Sequence, residues 1–302
     1  MIKLPSGVKI KNLIDDLRFL SKEASEILLH YSQIVKDSKN KSNILKNDNK
    51  QDPVTIADIK VNEMVIKKIN EKYKGIDWEI LSEENVKIES GNLNKNADWV
   101  WVFDPLDGTK DFLQGTSNYA MHLSLNYKQK PYLGIVLIPE KDELWISDSE
   151  KVWCEKSNGA LKTHNLSENK GLKEMVLVTS KNHKNSTLSD LIEKICFKKV
   201  TIMGSIGCKI ASILRGESDI YICLSMQEGS SPKDWDFSAP EAILKAAGGA
   251  ITDIYNRDLI YGKSNFQQGG IIVASNDYIN HEKICLEIKE VIKKYNIYPL
   301  MS

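Results

Sequence analysis

Apolar residues at helical spacing dominate the start of the chain. Residues 10–35 repeat an apolar side chain about every third or fourth position, which predicts an amphipathic helix. Its apolar side consists of Leu13, Leu17, Leu20, Ala24, Ile27 and Leu28. A second helix is predicted over residues 55–73, because Ile59, Ile66 and Ile69 share one face. Residues 36–52 between them are rich in Lys, Asn, Asp and Ser, which is typical of a surface loop.

Short apolar segments then follow one another closely. The predicted strands cover residues 78–82, 98–104, 119–127, 132–138, 143–147 and 151–154. Strands this close together, without intervening helices, predict an antiparallel sheet. The polar, glycine-containing stretch 156–174 marks a boundary, so we predict two halves, residues 1–160 and 161–302.

The second half alternates between the two periodicities. Strands are predicted at 175–180, 198–203, 218–223, 250–253 and 270–275, with helices at 187–196, 205–214, 236–247 and 277–294. Such alternation indicates a mainly parallel α/β layer. Together the halves predict a mixed fold of the α+β or α/β class.

Composition narrows the range of functions. The chain has 302 residues, of which 41% are hydrophobic, so it can bury a large core as one or two domains. Its formal net charge is zero, which argues against a nucleic-acid polymer or a membrane as partner. The five cysteines are scattered, and the N-terminus lacks a signal-peptide core. These features predict a cytoplasmic protein with reduced thiols.

The most informative stretch places Asp104 and Asp107 three residues apart at the end of an apolar strand. Pro105 lacks a backbone N–H, so we expect the strand to end at Asp104 and the chain to turn. The two carboxylates can then converge, with the Leu106 carbonyl as a neutral oxygen ligand. Oxygen-only ligands select hard cations such as Mg²⁺ or Mn²⁺. A helix starting at Thr109 would offer backbone N–H groups to an anion; the alternative is a solvated turn with a helix cap.

Three further acidic positions accompany this turn. Glu83 lies in a predicted acidic loop after a strand, and it either adds a carboxylate to the metal or is simply exposed. Thr55 and Asp58 fit a capping box at a helix start, which would also let them face a ligand. Asp236 precedes a helical run as its predicted N-cap.

Taken together, these segments resemble the lithium-sensitive, magnesium-dependent phosphatase superfamily. The carriers of the resemblance are Thr55–Asp58, Ser82-Glu83-Glu84, Asp104-Pro105-Leu106-Asp107-Gly108-Thr109, and Trp235-Asp236 with Gly248-Gly249. Their order and spacing match the inositol monophosphatases, fructose-1,6-bisphosphatases and 3'(2'),5'-bisphosphate nucleotidases over residues 50–275. The resemblance implies a layered αβαβα sandwich of the sugar-phosphatase type, with the active site between the halves. It also places residues 36–52 near that site, either as a lid or as a plain flexible loop.

The resemblance implies a role for each matching position. The implied metal ligands are Glu83, Asp104, the Leu106 carbonyl, Asp107 and Asp236. Asp58 and Thr109 would orient the attacking water, with the Thr109 hydroxyl held by Asp58. The backbone N–H groups of Gly108 and Thr109 would bind the phosphate. Two metal ions would activate water and stabilise the leaving oxygen.

Within that superfamily, the sequence is most similar to the CysQ-like nucleotidases tied to sulfate assimilation. Thr109-Lys110-Asp111-Phe112 carries this likeness, whereas inositol monophosphatases usually have Thr-Thr-Asn-Phe. The implied substrate is adenosine 3',5'-bisphosphate, with Lys110, Ser205 and Lys209 as contacts. Lys209 is offset by one residue from the usual lysine, so inositol monophosphatase or fructose-1,6-bisphosphatase is the alternative.

Two further questions stay open at this point. A catalytically silent metal- or nucleotide-binding protein would need a broken ligand set, whereas every ligand position here holds the expected residue type. The superfamily includes homodimers, and no feature of the sequence selects an oligomeric state.

Overall fold

A computed structural model describes residues 2–37, 45–47, 54–88, 97–161, 169–180, 186–225 and 231–300. The helices are α1 (Ile10–Lys36), α2 (Ile56–Lys72), α3 (Glu83–Ile88), α4 (Thr109–Leu113), α5 (Ser186–Ile195), α6 (Ile206–Leu214), α7 (Asp234–Ala246) and α8 (His281–Tyr295). The strands of the first half are β1 (Leu45–Asn47), β2 (Val54–Thr55), β3 (Glu79–Ser82), β4 (Trp99–Asp107), β5 (Ala120–Tyr127), β6 (Lys130–Ile138), β7 (Glu143–Ser147), β8 (Val152–Lys156) and β9 (Gly159–Leu161). Those of the second half are β10 (Val176–Thr179), β11 (Lys199–Ile202), β12 (Ile220–Leu224), β13 (Ala250–Asp253) and β14 (Ile271–Ser275).

The larger sheet is formed by the first half in the order β3-β4-β5-β6-β7-β8-β9. Every neighbouring pair is antiparallel except β3 and β4. The antiparallel prediction is therefore confirmed for the hairpins. The exception arises because a connection that includes α3 joins β3 to β4, and a crossover of that length lets two strands run parallel.

The smaller sheet has the order β11-β10-β12-β14-β13 and is mixed. β10 is parallel to both of its neighbours, whereas β14 is antiparallel to β12 and to β13. β12 and β13 therefore share one direction, so four of the five strands run the same way and the prediction of a mainly parallel layer is confirmed, with β14 as the exception. α7 does connect two strands of the same direction, β12 and β13, but β14 inserts between them and reverses both pairings.

Three apolar cores stack the elements into five layers. α1 and α2 cover one face of the larger sheet, around Trp101 and Phe103. α6 and α7 lie between the two sheets, packed on Trp145 and Tyr221. α5 and α8 cover the outer face of the smaller sheet, around Ile222. This arrangement confirms the predicted αβαβα sandwich.

The division of the chain follows the sheets. Along the chain, the larger sheet ends with β9 and the smaller begins with β10. The division into halves 1–160 and 161–302 stays a prediction. No helix in the described ranges is both long and apolar enough to cross a lipid bilayer. Of the predicted loop 36–52, residues 38–44 and 48–52 lie outside the described residues, while β1 pairs antiparallel with β2.

Candidate active site

The acidic turn begins with a bulge in β4. Asp104 lies opposite His122 and Asp107 lies opposite Ala120, so β4 has one more residue than β5 between these two paired positions. The strand therefore continues through Pro105 instead of ending at Asp104 as predicted, because proline is tolerated at a bulge. In a regular strand, side chains three residues apart point to opposite faces. The extra residue changes this alternation and turns both carboxylates to one side.

A third carboxylate reaches the same point from the other half of the chain. Carboxylate oxygens of Asp104, Asp107 and Asp236 all lie within 4.8 Å of one another. Asp236 lies in the first turn of α7, where its Oδ2 accepts a hydrogen bond from the Lys233 backbone N–H. α7 begins at Asp234, so Asp236 is not the predicted N-cap but the third helical residue, and Lys233 is the N-cap. The predicted convergence of these three side chains is present.

Asp107 also fixes the start of α6. Its Oδ2 accepts hydrogen bonds from the Ser205 hydroxyl at 2.7 Å and from the Ile206 backbone N–H. Carboxylates are stabilised at such a position by the unpaired N–H groups and the dipole of a helix N-terminus. One oxygen of Asp107 is thus anchored by the protein, which leaves the other oxygen available to a ligand.

Glu83 joins the cluster from α3, which follows β3 directly. Because Ser82 is in register with Phe103, the first residue of α3 lies beside Asp104. The Glu83 carboxyl lies close enough to Asp104 for the two groups to interact electrostatically. The expected acidic loop is therefore a short helix. Lys87, one turn further on, places its Nζ 3.0 Å from Glu83.

Lys87 bridges two carboxylates, since the same Nζ lies 3.0 Å from Oε1 of the buried Glu84. Sequence reasoning missed this lysine. Its position four residues after Glu83 and three after Glu84 was the available signal, because residues at these spacings are neighbours on a helix.

The cluster carries strong electrostatic repulsion. Burial, together with the carboxylates of Glu83, Asp107 and Asp236, raises the pKa of Asp104 well above its ordinary value. Burial and the carboxylates of Asp107 and Glu83 do the same to the pKa of Asp236. Burial also raises the pKa of Glu83, although Lys87 opposes the shift. Buried like charges of this kind favour a bound cation.

The predicted capping box at α2 is confirmed. Thr55 Oγ1 accepts hydrogen bonds from Ala57 and Asp58, and Asp58 Oδ2 accepts from the Thr55 backbone N–H at 2.8 Å and from its hydroxyl. Burial, reinforced by the nearby Glu84 and Glu83, raises the pKa of Asp58 to about 8. The predicted bond from Thr109 to Asp58 is not the one formed: the Thr109 hydroxyl donates to the Leu106 carbonyl at 3.0 Å.

The three predicted substrate contacts differ in their exposure to solvent. Lys110 is exposed at the start of α4. Ser205 is buried, with its hydroxyl committed to Asp107 and to the Cys208 backbone N–H. Lys209 is only 2% exposed, and its Nζ donates to the Ser205 carbonyl at 3.2 Å and lies over the Tyr221 ring. Of these three side chains only Lys110 is exposed, since Ser205 is buried and Lys209 points into the central layer.

Gly108 supports the turn through its backbone. Its φ of 87° lies in the left-handed region that glycine adopts without strain. A Cβ there would approach the Asn118 carbonyl oxygen to 2.8 Å and the Ser205 backbone nitrogen to 3.1 Å. The residue thus allows the turn and the start of α6 to pack closely.

His122 was also missed by sequence reasoning. It is fully buried on β5, and its Nε2 lies 3.3 Å from Asp107 Oδ2. Burial lowers its pKa, although Asp107 opposes the shift. The available signal was a polar residue at every second position of an otherwise apolar strand: His122, Ser124 and Asn126.

Several known proteins are similar to this chain in sequence. A sequence model of the inositol monophosphatase family matches residues 13–293. A 3'(2'),5'-bisphosphate nucleotidase CysQ of Buchnera aphidicola is 32% identical over 215 residues, which are 70% of this chain and 76% of that protein. A fructose-1,6-bisphosphatase/inositol-1-monophosphatase of Thermotoga maritima is 24% identical over 282 residues, 92% of this chain and 96% of its own.

Solved structures share the fold. An inositol monophosphatase from Zymomonas mobilis aligns with a TM-score of 0.69 at 21% identity, over 93% of this chain and 99% of its own. At this identity the likeness establishes the architecture alone.

Proposed function

Because this chain belongs to the inositol monophosphatase family, we propose that it is a Mg²⁺-dependent 3'(2'),5'-bisphosphate nucleotidase. Membership makes it a phosphatase that acts on phosphate monoesters, which confirms the predicted resemblance at that level. The proposed reaction converts adenosine 3',5'-bisphosphate to AMP and phosphate. The observation that carries the proposal is the convergence of Asp104, Asp107 and Asp236 from two halves of the chain.

The donor set fits a hard divalent cation. All three converging atoms are carboxylate oxygens, and Glu83 adds a fourth carboxylate beside Asp104. Oxygen ligands and concentrated negative charge suit Mg²⁺, with Mn²⁺ as a substitute. When bound, such ions supply a Lewis acid and a water of lowered pKa.

The chain's own residues would then hold and orient the reactants. Glu83, Asp104, Asp107 and Asp236 would bind the ions, with the second lone pair of the Leu106 carbonyl as a further ligand. The Thr109 hydroxyl donates to that carbonyl, so its oxygen is free to accept a hydrogen bond from the attacking water. Thr109 and Asp58 are the proposed water-orienting residues. The backbone N–H groups of Gly108 and Thr109 would donate to the phosphate.

The substrate proposal rests on two observations. The Buchnera aphidicola protein that matches this chain at 32% identity is a bisphosphate nucleotidase. Lys110 is exposed beside the acidic turn, where its ammonium can meet the second phosphate of adenosine 3',5'-bisphosphate. We propose no direct nucleotide contact for Lys209, because it is buried.

The alternative is an inositol monophosphatase or a fructose-1,6-bisphosphatase. The Thermotoga maritima relative, which matches a larger share of this chain, bears both of those activities in its name. The burial of Lys209 favours this alternative as well, because it removes a predicted nucleotide contact.

Phosphate release tests the proposal. The purified protein should hydrolyse adenosine 3',5'-bisphosphate with Mg²⁺, lose that activity in EDTA, and be inhibited by Li⁺. Inositol 1-phosphate and fructose 1,6-bisphosphate serve as comparison substrates. A preference for either would keep the metal-dependent chemistry and overturn the nucleotide assignment. Full activity without metal would overturn the metal-dependent mechanism, and Mg²⁺ binding without turnover would favour the catalytically silent protein.

A further inference from the structure

A row of buried polar side chains runs along β5 beneath the acidic cluster. His122, Ser124 and Asn126 occupy alternate positions, so all three point to the same face of the strand. They are 0%, 0% and 2% exposed. The face that they share packs against α7, the helix whose first turn carries Asp236.

Each member of this row bonds to α7. The Ser124 hydroxyl donates to the Ser238 hydroxyl at 2.7 Å, and the Ser238 hydroxyl donates to Asn126 Oδ1 at 2.8 Å. His122 Nδ1 lies 3.3 Å from the backbone carbonyl oxygen of Trp235, the residue that precedes Asp236. The row thus follows the first turns of the helix towards its metal-ligand end.

The second nitrogen of His122 meets the start of α6. The Gly207 backbone N–H donates to Nε2 at 3.1 Å, so Nε2 is an acceptor. The proton therefore resides on Nδ1, which donates to the Trp235 carbonyl. A Cβ on residue 207 would approach Nε2 to 2.2 Å, so this contact requires glycine there.

We infer that His122 is a positioning residue that fixes Asp236 relative to Asp107. One imidazole connects the start of α7, which carries Asp236, with the start of α6, which anchors Asp107. Buried hydrogen bonds of this kind contribute little net stability, but they disfavour every shifted arrangement that leaves a donor or acceptor unpaired. If α7 slid or rotated on β5, the hydrogen bond between His122 Nδ1 and the Trp235 carbonyl would break, and both groups would be left unpaired. The inference rests on the proposed function in one respect, that these carboxylates bind Mg²⁺.

Two substitutions separate the two bonds of the ring. An asparagine amide reaches about as far as Nδ1, so His122→Asn keeps a donor for the Trp235 carbonyl. A glutamine amide reaches about as far as Nε2, so His122→Gln keeps a partner for Gly207 and loses the bond to Trp235. If the Trp235 bond positions Asp236, the glutamine variant should bind Mg²⁺ about tenfold more weakly, whereas the asparagine variant should stay within about threefold of wild type.

A matched control exists on the opposite side of the smaller sheet. His281 is 1% exposed, with Ser275 Oγ 2.7 Å from Nδ1 and Thr252 Oγ1 2.8 Å from Nε2. His281→Asn should lower thermal stability and leave the dissociation constant of Mg²⁺ unchanged. The comparison shows whether weakened metal binding follows from any disrupted buried histidine.

Calorimetric titration of the metal-free proteins with Mg²⁺ at pH 8 measures the affinity, and circular dichroism with thermal unfolding measures the fold. Wild-type affinity in a folded His122→Gln variant, or equal losses in the asparagine and glutamine variants, would overturn the inference. If the glutamine variant does not fold, Ser238→Ala loosens the same helix from β5 and should weaken Mg²⁺ binding at least about threefold. A wild-type protein that does not bind Mg²⁺ would instead overturn the proposed function, and the inference with it.

Discussion

Asp104→Asn separates the metal site from the fold, because the substitution removes a charge and keeps the shape. Asparagine retains an Oδ1 to accept the Leu106 backbone N–H, a bond of 2.9 Å in the native protein. The substitution removes an ionised ligand from a cluster whose oxygens lie within 4.8 Å of one another. We therefore expect the variant to lose turnover and Mg²⁺ binding while its secondary structure stays native.

The magnitude follows from the geometry of the cluster. At a separation of 4.8 Å, the limit within which these oxygens lie, two ionised carboxylates repel each other by roughly 3.5 kcal/mol at an effective dielectric constant of about 20. Asparagine at 104 removes two of the three pairwise repulsions among Asp104, Asp107 and Asp236. Proton uptake and water reduce this gain, so we expect the metal-free variant to be about 1–3 kcal/mol more stable than the metal-free wild type.

Urea unfolding in EDTA and in saturating Mg²⁺ measures both effects. Wild type should gain about 2.7 kcal/mol when Mg²⁺ is a hundredfold above its dissociation constant, and the variant should gain almost nothing. The stability advantage of the variant over wild type in EDTA should therefore shrink sharply, or change sign, in saturating Mg²⁺. A metal-free variant less stable than wild type, or an equal gain from Mg²⁺ in both proteins, would refute the reasoning.

Asp219→Asn provides the control for loss of a buried carboxylate. Asp219 is 6% exposed, accepts a hydrogen bond from the Val176 backbone N–H at 2.7 Å, and pairs with Lys170 at 2.9 Å. It lies outside the cluster of converging carboxylates. The control variant should lose stability equally in EDTA and in Mg²⁺, with the gain from Mg²⁺ unchanged.

Three other changes test separate parts of the site and fold. Thr109→Ala should lower kcat about a hundredfold on every substrate, because the hydroxyl orients the water. Thr109→Ser keeps a hydroxyl, so its kcat should stay within about tenfold of wild type. Equal losses of steady-state phosphate release in the two variants would contradict that role. Lys110→Ala should raise the KM for adenosine 3',5'-bisphosphate about fivefold and leave the KM for inositol 1-phosphate unchanged. Lys209→Met should change neither KM by more than about twofold. The reverse pattern would return the nucleotide contact to Lys209. Burial lowers the pKa of His281 from 6.5 to about 4. Between these pH values, His281 is protonated in the unfolded chain and neutral in the folded chain. Stability should fall by about 3 kcal/mol as the pH drops from 6.5 to 4, and His281→Asn should lack that part of the loss in urea titrations at each pH.

Local patterns in the sequence predicted the elements well where one periodicity governs a segment. α1 was expected at residues 10–35 and spans Ile10–Lys36, because its apolar stripe packs directly on the larger sheet. The capping box of Thr55 and Asp58 was also predictable, since both partners lie within one turn. The expectation that Asp236 lies near Asp104 came from the family motifs, because hydrophobic periodicity does not report contacts between distant parts of the chain.

Features that depend on distant contacts were not predictable in the same way. The bulge in β4 exists only in relation to β5, so residue types alone predicted a strand ending at Asp104. β14 separates β12 from β13 because of how the sheet assembles, which alternation along the chain does not encode. The Thr109 hydroxyl shows the opposite case: a bond to the distant Asp58 was expected, but the hydroxyl donates to the Leu106 carbonyl three residues away.

The burial of Lys209 could have been predicted from the apolar residues around it in α6, although the motif suggested a substrate contact. All nine residues of α6, from Ile206 to Leu214, are buried, because the helix lies between two sheets. A helix that is apolar almost all round belongs in a central layer, and no side of it faces water. A lysine in such a helix must direct its ammonium to an internal acceptor, as Lys209 does with the Ser205 carbonyl. We therefore expect Lys110, which is exposed at the start of α4, to contribute to selectivity among phosphate esters, and it is the residue to test first.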